Sequence, residues 1–122
     1  MAEAGSGLVE VMRSVEEGDA RAVRVGLAED GRLVAEEIVA GPSCFVAYGE
    51  KSHTLRTVFD QKSFGELAAL LGCERREVLD AVRAYFSDEE HVLTDLMDEC
   101  DAVGLRYTFI GSGQACGVQM RG

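Results

Sequence analysis

The 122-residue chain lacks tryptophan, contains a single proline and carries few basic residues. Twelve Lys and Arg against 22 Asp and Glu give a net charge of -10. This excess of acid argues against nonspecific binding to the phosphate backbone of nucleic acids or to anionic lipid. No apolar run approaches the roughly 20 residues of a transmembrane helix. The N-terminal residues lack the basic and apolar segments of a secretory signal, so we expect a cytoplasmic protein.

Several catalytic and metal-binding motifs are also missing. None of the four cysteines, Cys44, Cys73, Cys100 and Cys116, forms a Cys-x-x-Cys pair, which argues against a zinc knuckle and a redox pair. In a reducing compartment they are expected to be buried thiols. The chain also lacks Gly-x-Ser-x-Gly, His-Glu-x-x-His and EF-hand patterns. The sequence therefore indicates no cofactor, no metal and no recognised type of enzyme.

What is present predicts one folded domain over residues 1–122, because 47% of the residues are hydrophobic and 28% are charged. An apolar spacing near 3.6 over residues 8–17 predicts a short N-terminal helix. From residue 20 the apolar residues recur at every second position, as in a β-strand. An Asp-Gly turn at residues 30–31 and a later apolar run over 43–49 then predict two hairpins. Together these would form a four-stranded meander over residues 20–60.

The second half of the chain predicts a block of three helices over residues 63–103. Two Ser-x-x-Glu patterns match the capping box that begins a helix. They are Ser63 to Glu66 and Ser87 to Glu90. The middle helix is expected over about residues 74–86, and the last one ends near residue 103.

After this block, alternating residues predict a C-terminal hairpin over residues 105–120, with its turn at Gly111-Ser112-Gly113. Strands and helices are thus segregated along the chain rather than alternating. This order predicts an α+β fold whose antiparallel sheet has about four to six strands.

Acidic residues are concentrated in the last predicted helix. Residues 88–101 contain no Lys or Arg and include seven acids: Asp88, Glu89, Glu90, Asp95, Asp98, Glu99 and Asp101. A helix dipole would stabilise the first three but not the last three, so helix propensity does not explain the whole set. The segment is either a solvated face that keeps the protein soluble or a docking surface for a basic protein or peptide. The second interpretation gives the leading hypothesis, a non-enzymatic protein-binding or regulatory module, for which a homodimer is plausible.

Residues 64–83 suggest a different function. This segment contains the small residue Ala68, followed four positions later by Gly72 and six positions after that by the apolar Val78. This pattern resembles the helix-turn-helix motif of bacterial regulators. The resemblance implies a transcriptional regulator in which three arginines contact DNA: Arg75, Arg76 and Arg83. The alternative is a purely structural helical hairpin whose short turn favours glycine.

A third hypothesis is a small-molecule-binding or catalytic site in a pocket between sheet and helices. Such a site would require side chains from separate parts of the chain to converge: Cys44, Tyr48, His53 and Cys116. On the last predicted helix, Asp88, His91 and Asp95 share a face and could hold a divalent cation. A solvated histidine among acids is the simpler interpretation of that triplet.

Overall fold

The computed structural model describes residues 7–49, 51–88, 90–113 and 117–119. These residues form an antiparallel sheet whose strands lie side by side in chain order. The strands are β1 (Val9–Glu16), β2 (Asp19–Leu27), β3 (Leu33–Ala40), β4 (Ser52–Phe59), β5 (Thr108–Gly113) and β6 (Gly117–Gln119). The predicted α+β class and the size of the sheet are confirmed.

The helices are α1 (Pro42–Tyr48), α2 (Phe64–Leu71), α3 (Val78–Phe86) and α4 (Leu93–Val103). As predicted, α2 to α4 form one block between β4 and β5. They cover one face of the sheet, where a single core joins Val23, Leu33 and Phe59 of the strands to Leu67, Val82 and Leu96 of the helices. Within the described part of the chain, no helix is both long and apolar enough to cross a membrane.

The predicted N-terminal helix is wrong, because residues 9–16 form β1 and pair with β2. The pairing register shifts between Glu10 and Met12. Such a bulge inserts one extra residue and interrupts the alternation of a strand. The apolar residues around it therefore imitate a helical spacing. Only Met12 is buried in β1, whereas Val9 and Val15 are largely exposed.

The predicted strand over residues 43–49 is also wrong, because this segment forms α1. Pro42 occupies the start of the helix, where its missing N–H costs nothing and its fixed φ angle suits the helix. Asp19 tethers this end by accepting hydrogen bonds from the Ser43 backbone N–H (2.8 Å) and hydroxyl (2.6 Å). Residues 20–60 therefore contribute three strands instead of four, and β1 supplies the fourth.

Neither predicted capping box has its serine in the capping role. The Ser63 hydroxyl donates to the Arg106 carbonyl (3.5 Å) and makes no cap hydrogen bond to α2. The Ser87 hydroxyl donates to the Ala84 carbonyl (2.9 Å) at the end of α3. Helix α4 begins at Leu93 rather than Ser87, so the acids at 88 and 90 precede the helix instead of forming its first turn.

The C-terminal hairpin is present as the pair β5–β6, in which Gly111 lies opposite Gln119. The predicted position of its turn is wrong, because Gly111, Ser112 and Gly113 belong to β5. The connection between the two strands lies outside the described residues.

Candidate functional site

Helix α4 has one buried side and one acidic side. Its buried side consists of Leu93, Leu96, Met97 and Cys100. Residues three and four apart share a helix face, so Asp95, Asp98 and Glu99 lie together on the outer side, with Asp101 at its edge. Asp98, Glu99 and Asp101 are exposed. We use the name acidic face for the four residues Asp95, Asp98, Glu99 and Asp101. Of the other predicted acids, Asp88 and Glu90 lie in the preceding loop, and Glu89 is outside the described residues.

Neutral hydrogen-bond donors hold three carboxylates of the acidic face. The Tyr85 hydroxyl donates to Glu99 (2.6 Å) and the Tyr107 hydroxyl to Asp101 (2.8 Å). The Val92 backbone N–H donates to Asp95 (2.9 Å) at the start of α4. A neutral donor orients a carboxylate without cancelling its charge. These three hydrogen bonds therefore fix the geometry of the Asp95, Glu99 and Asp101 carboxylates without cancelling their charge.

Tyr85 is suited to remain a donor in this arrangement. Burial, followed by the hydrogen bond to Glu99 and the charges of Glu99 and Asp95, raises the pKa of Tyr85 well above its usual range. Its ring stacks on His91 with ring centroids 4.1 Å apart. Tyr85 thus links α3, the loop and α4.

The loop before α4 is anchored to the sheet. Arg21 of β2 donates to the His91 carbonyl (3.2 Å) and to the buried carboxylate of Glu37 (2.8 Å). The Nδ1 atom of His91 lies 3.0 Å from the Tyr85 carbonyl oxygen. These contacts hold the loop against the sheet on the side covered by the helices.

The structure does not assemble the metal triplet suggested by the sequence. The Asp88 carboxylate lies 3.5 Å from His91, but the Asp95 carboxylate accepts from the Val92 N–H. Among the described residues, no group of three His, Cys, Asp or Glu side chains is arranged to hold a metal ion.

The arginines of the helix-turn-helix hypothesis do not share one surface. Arg83 turns towards the sheet, where its Nε and Nη2 atoms donate to the Val25 carbonyl (3.3 and 3.2 Å). The predicted turn is present, and Gly72 adopts the left-handed conformation there with φ 76°. Helices α2 and α3 thus form a hairpin whose last arginine makes a structural contact.

The other two arginines lie at the turn itself. Arg75 donates to the Gln61 carbonyl (2.5 Å), and its guanidinium lies 5.7 Å from the centre of the Phe64 ring. Arg76 is highly exposed and lies 3.4 Å from the Glu74 carboxylate. Arg75 and Arg76 are therefore both at an exposed turn, whereas Arg83 lies against the sheet.

The residues proposed for a catalytic pocket do not line any cavity described here. Cys44 and His53 are both buried, whereas the Tyr48 side chain and Cys116 are outside the described part of the structure. A further thiol, that of Cys100, is poorly suited to nucleophilic chemistry. Burial, with the nearby charges of Asp101 and Glu99, raises the pKa of Cys100 to about 12, and the thiolate is the reactive form.

A cavity of about 590 Å³ lies at one end of the sheet, between β4, α2 and the loop after α4. Its lining includes two acids and two bases: Asp60, Glu66, Lys62 and Arg106. Among the described residues, these four side chains form no ion pair or hydrogen bond with one another. The buried residues Ser63 and Tyr107 also line it. Sequence reasoning missed this site because its lining combines two separate segments, residues 58–66 and 104–108, and matches no motif.

Four charged residues of alternating sign cross the other face of the sheet. Glu10, Arg24, Glu36 and Arg56 lie directly opposite one another on β1 to β4, and we call them the charged stripe. Glu36 is only 1% exposed. Its two carboxylate oxygens accept from Arg24 Nε (3.1 Å) and Arg56 Nε (3.0 Å). Burial alone would raise the pKa of Glu36, but the hydrogen bonds and charges of Arg56 and Arg24 outweigh it and lower the pKa.

The described surface thus has three polar features on different sides of the fold: the acidic face, the cavity at the sheet end and the charged stripe. The acidic face was expected from the sequence, whereas the other two depend on strand register and chain packing. Comparisons of the chain with protein-family models, with curated proteins and with solved structures find no match.

Proposed function

We propose that this protein is a non-enzymatic binding module that docks a basic protein or peptide on the acidic face of α4. The observation that carries the proposal is the set of neutral donors that orient these carboxylates. Tyr85 holds Glu99, Tyr107 holds Asp101, and the Val92 N–H holds Asp95. A preoriented row of charged acceptors loses less side-chain freedom when Lys or Arg side chains bind to it.

The distribution of charge supports the same proposal. Residues 60–106, which contain α2 to α4, include twelve acids and five bases and therefore carry a charge of -7. On the opposite face of the sheet the charged stripe has no net charge, and Arg13, which pairs with Glu10 (2.6 Å), adds one positive charge. The negative potential is thus concentrated on the layer that carries α4, and such a potential steers a basic partner towards that side.

The proposal can be tested with a synthetic Lys-rich peptide as the probe, using calorimetry at low and high salt. The test variant carries Asp98→Asn, Glu99→Gln and Asp101→Asn. We expect it to lower the affinity about tenfold, because three exposed ion pairs contribute about 0.5 kcal/mol each. The affinity of the unmodified protein should fall as salt rises.

A control variant makes the same change in net charge elsewhere. Glu16→Gln, Glu17→Gln and Glu29→Gln neutralise three exposed acids at the turns of the β1–β2 and β2–β3 hairpins. Near-unchanged affinity in this control would support docking on α4. Equal losses in the two variants would contradict it, since they would indicate attraction to total charge alone.

A second candidate function rests on the cavity of about 590 Å³ at the sheet end. Its volume lies within the range of small-molecule sites, roughly 300–1,000 Å³. Its two acids and two bases do not neutralise one another, so the cavity offers both signs of charge to a ligand. A small zwitterion, with an ammonium and a carboxylate group, matches this lining.

Free α-amino acids provide the probe for the second candidate. Titration monitored by NMR should shift the amide signals of residues near Lys62, Glu66 and Arg106, and Arg106→Gln should weaken the effect. Arg32→Gln, at an exposed arginine of the β2–β3 turn, serves as the control. An absence of shifts at millimolar amino acid would refute this candidate without affecting the proposal for α4.

A further inference from the structure

We infer that a groove beside the β2–β3 hairpin binds a small carboxylate with an apolar body, such as a medium-chain fatty acid. The groove lies between the end of β2 and the first residues of α2 and α3, and its volume is about 430 Å³. This volume is within the range of small-molecule sites, roughly 300–1,000 Å³. The inference is independent of the docking proposed for α4, because the described lining residues of the groove all lie outside that helix.

The walls of the groove are mainly apolar. Four of its seven described lining residues are hydrophobic: Leu27, Phe64, Val78 and Leu79. Val78 is buried in the core, and Phe64 and Leu79 pack against the core while remaining partly exposed. Leu27 is 39% exposed, although Leu33, its partner across the hairpin, is completely buried. The hydrocarbon part of a ligand would remove this apolar surface from water, which favours binding.

The charged part of the lining is basic. Arg75 and Arg76 are its two charged members, and the described lining includes no acid. In a chain with a net charge of -10, this local excess of positive charge indicates an anionic ligand. A carboxylate accepts two parallel hydrogen bonds from a guanidinium group, so it is the anion that suits these side chains.

Arg75 is already held in position for this role. Its Nη2 atom donates to the Gln61 carbonyl (2.5 Å), and its guanidinium lies 5.7 Å from the centre of the Phe64 ring. A guanidinium has several N–H groups. Among the described residues, the Gln61 carbonyl is the one hydrogen-bond acceptor of Arg75. Its other donors therefore remain for a ligand.

Two neighbouring acids leave this positive charge accessible. Glu74 and Glu77 form a reciprocal capping box, in which each side chain accepts from the backbone N–H of the other residue. The Glu74 carboxylate also lies 3.4 Å from Arg76, with the two side chains 68% and 79% exposed. An ion pair this exposed is weak, so Arg76 can turn to a ligand carboxylate while the two acids continue to cap the turn before α3.

NMR titration with octanoate as the probe tests the inference. Octanol and acetate serve as comparisons, because octanol keeps only the apolar body and acetate keeps only the charge. At about 3 mM of each, we expect octanoate to shift the amide signals of Leu27, Phe64 and Leu79 about threefold more than either comparison. An absence of octanoate shifts at these residues would overturn the inference. Equal shifts with octanol or with acetate would also overturn it, because the arginines or the apolar walls would then contribute nothing.

Two pairs of variants locate the binding. Arg76→Gln should raise the octanoate dissociation constant about threefold to tenfold, whereas Arg13→Gln, at an exposed arginine of β1, should leave it unchanged. Leu27→Ser removes part of the apolar wall and should raise the dissociation constant about threefold or more. Its control is Val46→Ser, at an exposed valine of α1 at the opposite end of the sheet.

Circular dichroism checks that each variant is folded. If Leu27→Ser is not, the exposed Arg76 position still decides. Equal losses of affinity in a test variant and its control would overturn the inference, because the binding would then not depend on the groove.

Discussion

Gly26 on β2 is a residue whose lack of a side chain the fold requires. A Cβ atom there would lie 2.1 Å from the Gly7 carbonyl oxygen and 2.7 Å from the Leu8 Cα atom. Both neighbours are backbone atoms, so the chain itself would have to move. We expect Gly26→Ala to lower the free energy of unfolding by about 1–3 kcal/mol, measured by urea denaturation.

Gly65 on α2 provides the matched control. A Cβ atom at this position meets nothing within 4 Å. Alanine is the better helix former, so Gly65→Ala should raise the free energy of unfolding by about 0.5–1 kcal/mol. If the two alanine variants changed stability equally, the close approach at Gly26 would not be the cause.

Glu36 should contribute to the acid sensitivity of the protein. Its pKa is lowered in the folded state, so its ionised form stabilises the fold above the unfolded-state pKa of about 4.3. This stability is lost as the pH falls through the folded-state pKa. Glu36→Gln should cost about 1–3 kcal/mol at neutral pH and flatten the acid limb of the stability curve. Urea midpoints between neutral and acidic pH measure both effects, and an unchanged acid limb would contradict the assignment.

Among single residues, the sequence revealed those that are concentrated in one segment, but not those that come together only in the folded chain. The acids of residues 88–101 stand out because no base interrupts them. Glu36 and Arg56 do not stand out, since they lie twenty positions apart and meet only through the pairing of β3 with β4. Register is a property of two strands together, so neither strand alone could reveal the stripe.

Among the elements, α4 depends on an N-terminal helix cap that lies at a different position from the one predicted from the sequence. The Asp95 carboxylate accepts from the Val92 N–H, which has no partner within the helix. Asp95→Ala should therefore lower the free energy of unfolding by about 0.5–1 kcal/mol. Thr94→Ala, at the adjacent exposed position, should be neutral or slightly stabilising because alanine favours helix. Thermal unfolding of both variants tests the difference, and equal effects would exclude a capping role.

The elements that were predicted wrongly are those whose secondary structure depends on contacts with neighbouring elements. The segment that becomes β1 has a helical spacing, but its pairing with β2 and its bulge after Glu10 override that local pattern. In α1, Pro42 begins a helix rather than ending a strand, and proline fits both contexts. By contrast, α2, α3 and the β2–β3 hairpin carry strong local signals and were predicted correctly.

For the molecule as a whole, the segregation of strands and helices along the chain was sufficient to predict one sheet covered by helices. It was not sufficient to predict the asymmetry of charge between the two faces. Residues 60–106 carry -7, whereas on the opposite side the charged stripe has no net charge and Arg13 adds one positive charge. Each charge can be counted in the sequence, but its side is determined only when the strands pair and the helices pack.

This asymmetry should make stability depend on salt. Like charges on the helical layer repel one another, and salt screens repulsion between exposed charges. Raising NaCl from about 20 to about 200 mM should therefore raise the melting temperature. Neutralising two exposed acids of this layer with Glu66→Gln and Glu90→Gln should raise it by about 1–3 °C at low salt and reduce the response to added salt. Calorimetry at both salt concentrations provides the measurement. A melting temperature that falls with salt would instead mean that attraction within ion pairs outweighs repulsion across the helical layer.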